Sequence, residues 1–65
     1  MTTLLSPKET EILKLVAEGA ANKNIAQSFK NKEQTIKNHM ITIMTKLNAN
    51  NRTHAVALAM RQGWI

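Results

Sequence analysis

The chain contains no cysteine and no aspartate. Without cysteine, neither a disulfide nor a thiolate metal site can hold it together. Without aspartate, these residues hold no phosphoacceptor aspartate, no aspartate-built Mg²⁺ cluster and no aspartate-oriented catalytic triad. Phe29 and Trp64 are the only aromatics, so the basic residues are not set opposite a bulky aromatic face. That argues against a helix lying on a membrane surface. No apolar run approaches the roughly 18 residues that span a bilayer. The stretch Met1 to Leu5 lacks the basic segment and long apolar core of a secretory signal, so the expected location is the cytoplasm. Proline and glycine are scarce too, with Pro7, Gly19 and Gly63 as the only examples.

What remains is a chain of 65 residues with a formal net charge of +5. That length makes one small domain, expected to bury only about 60% of the surface its unfolded form exposes. A compact helical core, helped by a partner chain, is the remaining route to stability. The charge is uneven. Met1 to Glu18 holds two lysines and three glutamates, whereas Gly19 to Ile65 holds seven Lys/Arg and one glutamate. A basic excess of this size, with a pI near 10.1, fits a nucleic-acid binder or a solubilised small domain.

Start and stop signals divide the chain into four helices, predicted at about 7–18, 23–29, 32–47 and 52–62, an all-α four-helix bundle. Ser6-Pro7-Lys8-Glu9 combines an N-cap, a proline suited to the first helical position and a capping box. Gly19 is a natural stop. Asn22 is a candidate N-cap for the second helix, whose apolar face is Ile25, Ala26 and Phe29. Asn31 and Gln34 are a candidate capping pair for the third helix. Asn48 to Asn51 is a connector tolerant of left-handed backbone, and Asn51 can cap the fourth helix. Gly63 ends that helix, and Trp64-Ile65 is expected to fold back onto the core. The expected core is Ile12, Leu13, Val16, Ile25, Phe29, Ile36, Ile43, Leu47, Val56 and Ala59, with Met40 and Met44 filling gaps.

The third helix is the most informative segment. Ile36, Met40, Ile43 and Leu47 recur at spacings of four, three and four and so share one face. The opposite face carries Gln34, Lys37, Asn38, Ile41, Thr42 and Thr45, with a cation, amides and hydroxyls but no carboxylate. A solvated face usually mixes both signs of charge. This one suits an anionic polymer with readable edges. A short helix, a tight turn and a longer helix with a polar outer face form a helix-turn-helix pattern.

Leu5-Ser6-Pro7-Lys8-Glu9, Val16-Ala17-Glu18-Gly19, Asn22-Lys23-x-Ile25-Ala26, Thr35-Ile36-Lys37-Asn38-His39, Lys46-Leu47 and Asn51-Arg52-Thr53-x-Ala55-Val56 follow in one order with tight spacing. Together they resemble the LuxR-type, or GerE-type, helix-turn-helix domain from about Leu5 to Ile65. The resemblance implies a double-stranded-DNA-binding domain for transcription regulation. It is the kind found at the C-terminus of response regulators and quorum-sensing-type regulators, or as a free-standing small protein. It also implies a homodimer on DNA formed through the fourth helix, with RNA polymerase as a candidate partner. Three positions depart from the usual pattern. Asn31 and Lys32 stand where an apolar residue and a serine cap are usual, and Asn48 stands where glycine is common.

On this resemblance Lys37 and Asn38 occupy base-reading positions, and their chemistry fits. Lysine donates to guanine O6 and N7, and asparagine pairs with adenine N6 and N7. Ile41, one turn on, can meet a thymine methyl, and Gln34 and Thr45 share the face. Lys23, Asn22, Thr35, His39 and Lys46 are candidate phosphate contacts. Ala57, Leu58 and Arg61 form the candidate dimer face, because small residues let two helices approach closely. His39 and His54 are isolated from carboxylates, so no metal, cofactor or catalytic role is assigned. A protein–protein adaptor on the same scaffold is the rival reading, and it predicts no salt-sensitive DNA affinity.

Overall fold

A computed structural model describes residues 4–65. The helices are α1 (Pro7–Ala17), α2 (Asn22–Phe29), α3 (Glu33–Leu47) and α4 (Arg52–Arg61), with no strand among the described residues. Each predicted boundary is within one residue of the observed one.

Local chemistry explains most ends. The Ser6 hydroxyl accepts from the Glu9 N–H at 3.2 Å, while the Glu9 carboxylate accepts from the Ser6 N–H at 2.8 Å. This is the reciprocal capping box read from sequence. Asn51 caps α4, its Oδ1 accepting from the His54 N–H at 2.8 Å. All four helices end alike. A residue with positive φ follows the last turn: Gly19, Lys30, Asn48 and Gly63. The next N–H reaches back five residues, from Ala20 to the Leu15 carbonyl, Asn31 to Ala26, Ala49 to Met44 and Trp64 to Ala59, at 2.8–3.0 Å. These are Schellman closures, which satisfy carbonyls that a helix end would otherwise leave unpaired.

Two capping expectations are corrected. Asn22 is the first residue of α2 and Ala21 holds the N-cap position, without a side-chain bond. The Asn22 side chain is instead an acceptor for Arg52. Asn31 does not cap α3. Lys32 occupies that position, again with no side-chain bond, and Gln34 donates to Asn38 instead. The Schellman closure at Lys30 draws the Asn31 N–H onto α2, so α3 begins at Glu33 rather than earlier.

Helix α3 is the hub. It packs on α1, α2 and α4, while α1 also packs on α4. Ile12, Leu13, Ile25, Ile36, Ile43, Ala55 and Ala59 have no solvent exposure, and Leu5, Ala26 and Met40 are nearly buried. Val16, Phe29, Met44, Leu47, Val56, Trp64 and Ile65 are half-buried against this core. The chain end after Gly63 therefore folds back as expected. Truncating one of the fully buried isoleucines to alanine would cost about 2–5 kcal/mol. A domain this small has a core worth only about 3–5 kcal/mol, so one such loss approaches its whole stability.

Candidate nucleic-acid interface

Helix α3 sets the interface by burying one side. With Ile36, Met40 and Ile43 in the core, the 3.6-residue period turns Gln34, Lys37, Asn38, Ile41, Thr42 and Thr45 outward, and all six are exposed. All five candidate base-reading residues thus share one accessible face. The side chains are partly ordered among themselves. Gln34 Nε2 donates to Asn38 Oδ1 at 3.1 Å. Thr42 Oγ1 donates to the Asn38 carbonyl at 3.2 Å, and Thr45 Oγ1 to the Ile41 carbonyl at 2.8 Å. Lys37 takes part in neither of the two ion pairs found among the described residues, Lys14–Glu11 and Lys46–Glu9. Its charge is therefore not neutralised by a protein carboxylate at contact distance.

The candidate phosphate residues are distributed around this face. Lys23 is exposed in the first turn of α2, and Asn22 beside it is half-buried. Thr35 and His39 are half-buried on α3. Lys46, near the end of α3, is exposed but already bonded to Glu9 at 2.7 Å. The helices of the helix-turn-helix differ from the other two at their starts. Both α2 and α3 begin without a side-chain cap, whereas α1 and α4 are capped by Ser6 and Asn51. Backbone N–H groups at an uncapped helix start favour an anion.

On α4, Ala57 and Arg61 are exposed and Leu58 is half-buried, while Ala55 and Ala59 face the core. Met60, absent from the sequence-based list, is also exposed on this helix. Among the described residues no group of His, Cys, Asp or Glu is placed to hold a metal ion. No helix of the described residues is long and apolar enough to cross a membrane. His54 is engaged locally, its Nδ1 accepting from the Asn50 N–H at 3.0 Å.

The profile of "Bacterial regulatory proteins, luxR family" matches residues 3–59. The chain belongs to the luxR family. Among curated relatives, the transcriptional regulatory protein DegU of Brevibacillus brevis is 37% identical over 62 residues. That match spans 95% of this chain and 26% of DegU. Among solved structures, the transcription factor GerE superposes with a TM-score of 0.92 at 30% identity, covering 97% of this chain and 94% of GerE. The response regulator ChrA of a heme-sensing two-component system gives 0.91 at 35% identity, covering 100% of this chain and 32% of ChrA. The chain thus spans about a quarter of DegU and a third of ChrA.

As a luxR-family helix-turn-helix domain, the chain is a member of a family of DNA-binding transcription regulators. Its three departures from the usual motif are accommodated locally. Asn31 and Lys32 form the turn between α2 and α3, and Asn48 takes the left-handed conformation at φ 54°. One residue with a structural role at the interface was not singled out from sequence. Arg52 donates through Nη1 to Asn22 Oδ1 at 2.9 Å and through Nη2 to the Ala20 carbonyl at 3.3 Å. It links the start of α4 to the start of α2, the helix that otherwise rests mainly on α3. The Asn51-Arg52-Thr53 motif was the available signal, but the partner of Arg52 lies 30 residues away.

Proposed function

We propose that the domain binds double-stranded DNA sequence-specifically to regulate transcription, with α3 in the major groove. The observation that carries this reading is the outer face of α3, where Gln34, Lys37, Asn38, Ile41, Thr42 and Thr45 are all exposed and include no carboxylate. A helix is about 10–12 Å across with its side chains, which fits a major groove about 12 Å wide. Lys37 and Asn38 read base edges by hydrogen bonding, with Gln34 holding the Asn38 amide in place. Ile41 and Thr45 complete the reading surface.

Affinity comes from the phosphates. Lys23, Asn22, Thr35 and His39 anchor the backbone, supported by the uncapped starts of α2 and α3. Lys46 contributes charge while tethered to Glu9. Two copies pair through Ala57, Leu58 and Arg61 of α4, on half-sites about one helical turn, or 34 Å, apart. The domain serves as the effector part of a response regulator in the cytoplasm, or as a free-standing small regulator, acting on RNA polymerase. With no aspartate in the chain, any phosphoacceptor aspartate lies outside these residues.

The test is selection of genomic fragments with the purified domain, then a salt titration of the recovered site against scrambled DNA. The expected result is an inverted repeat bound with steep salt dependence. Lys37→Ala and Asn38→Ala should each cost about 1–3 kcal/mol and relax specificity at one position. Equal, weak binding to both DNAs would overturn sequence-specific readout by this domain and favour a protein partner.

A further inference from the structure

We propose that Arg52 is a positioning residue for DNA binding: it holds the Asn22 amide with its oxygen inward, so that Asn22 Nδ2 points outward and donates to a backbone phosphate. This rests on the reading that Asn22 and Lys23 anchor the phosphates while α3 lies in the groove.

A primary amide has one accepting end and one donating end, and an anionic phosphate takes only the donating end. An unrestrained asparagine turns over a broad range about its last torsion. Asn22 is restrained. The guanidinium of Arg52 carries donors and no acceptor, so the amide atom that meets Nη1 at 2.9 Å has to be Oδ1. The planar amide then directs Nδ2 away from the guanidinium. Nδ2 donates to no group among the described residues, and none of their side-chain nitrogens or oxygens is both buried and unpaired. Nδ2 is therefore reached by solvent and free to donate. Nη2 of Arg52 is fixed in turn on the Ala20 carbonyl at 3.3 Å. Two bonds from two different nitrogens set the plane of the fork, which leaves the amide one orientation to match.

The placement serves the interface. Asn22 borders an open recess that is also lined by Lys37 and Ile41, from the outer face of α3. A strand passing beside that face meets Asn22 next to the exposed Lys23. Lys23 supplies charge, and Asn22 supplies a directed hydrogen bond. A donor already held in its bound orientation loses less freedom when the phosphate arrives. Arg52 itself is half-buried, and two of its nitrogens are occupied by protein acceptors. It acts on the phosphate through Asn22.

The experiment measures affinity and salt dependence of the 65-residue chain on its selected site, with each variant shown to be folded by circular dichroism. Arg52→Lys keeps the charge but has no fork to hold the amide. Asn22→Ala removes the donor. Asn22→Asp keeps an acceptor for Arg52 and puts an anion where the donor was. Asn22→Ala should lose about tenfold in affinity, as the loss of a hydrogen bond to a charged group commonly does. Arg52→Lys should lose about fivefold, the cost of ordering one side chain. Neither should change the salt slope, because the number of cationic contacts is unchanged.

The double variant decides. Arg52→Lys added to Asn22→Ala should bind within about twofold of Asn22→Ala alone, since no amide is left to position. A merely structural arginine would lower affinity equally in both backgrounds. Asn22→Asp should unfold at a higher urea concentration than Asn22→Ala, yet bind DNA more weakly. Equal losses for Arg52→Lys in the two backgrounds, no loss in either, or an Asn22→Asp chain that binds like the parent would each overturn the positioning role while leaving α3 in the groove. Failure of the unaltered chain to bind any site specifically would overturn the DNA reading, and this inference with it.

Discussion

The ammonium of Lys46, in the last turn of α3, donates to the carboxylate of Glu9, in the first turn of α1, at 2.7 Å. The same Glu9 oxygen accepts from the Ser6 N–H at 2.8 Å. Glu9 is only 5% exposed, the single buried charged residue among those described. It therefore closes the α1 cap and ties α1 to the C-terminal end of α3. Burial pushes its carboxyl pKa upward. The Lys46 hydrogen bond, the Ser6 backbone bond, the Lys46 charge and the Ser6 hydroxyl together outweigh that and hold it below the usual carboxylate value.

A depressed folded pKa means that the unfolded chain takes up the proton first. The stability contributed by Glu9 should be complete above the ordinary carboxylate range, about pH 4–5, and lost as pH falls through the lower folded value. Glu9→Gln should destabilise the domain by about 1–3 kcal/mol at neutral pH, because it leaves the bonded Lys46 without its counter-charge. Urea unfolding from pH 3 to 7 checks both. The variant should show a flatter profile at the acid end, and an unchanged profile would rule out this role.

Arg52 bridges Asn22 and the Ala20 carbonyl with two different guanidinium nitrogens. A lysine has no planar fork to reach both. Arg52→Lys should therefore lose about 1 kcal/mol of stability. It should also speed hydrogen exchange at the start of α2 more than elsewhere. Exchange mapped by mass spectrometry reads this directly. Uniform protection across α2 in the variant would count against the link.

Lys30 ends α2 with φ 56°, a conformation that costs a non-glycine residue about 1–2 kcal/mol. Lys30→Gly removes that strain but loosens the unfolded chain by about 0.5–1 kcal/mol. The net expectation is a gain of about 0.5–1 kcal/mol. The urea midpoint is the readout, with Asn48→Gly, at φ 54°, as a milder companion. A loss of stability in Lys30→Gly would show that the lysine side chain itself contributes there. Its neighbour Phe29 already carries the Lys8 ammonium 5.8 Å from its ring centre.

Ala57 and Arg61 lie one turn apart on the exposed side of α4. A pairing surface there would not tolerate bulk or a like charge. Ala57→Arg should abolish cooperative occupancy of an inverted repeat and leave affinity for a single half-site within about twofold, since additivity holds for distant sites. Band-shift titrations on one- and two-half-site duplexes separate these. Retained cooperativity would move the dimer contact away from this face.

Most of what depends on near neighbours was legible in the residues. The Ser6–Glu9 box, the stops at Gly19, Asn48 and Gly63, and the Asn51 cap involve groups a few residues apart, and each formed as read. The division of α3 into a core face and an outward face follows from the period of the helix, so the candidate reading residues emerged together. The Asn31–Gln34 pair gave way to local bonds, from the Asn31 N–H to Ala26 and from Gln34 to Asn38, whereas at Asn22 a distant group intervened. Asn22 has the chemistry of a cap, yet its side chain is an acceptor for Arg52 from 30 positions away. Lys46 meets Glu9 across 37 positions, a pairing that no local pattern announces. The left-handed Lys30 had no glycine to announce it; chain closure between α2 and α3 imposed it. Helix caps and periodicity are short-range properties of the backbone, and a residue string specifies them directly. A side chain with two possible partners goes to the one that packing brings nearer, and that is known only once four helices share one core.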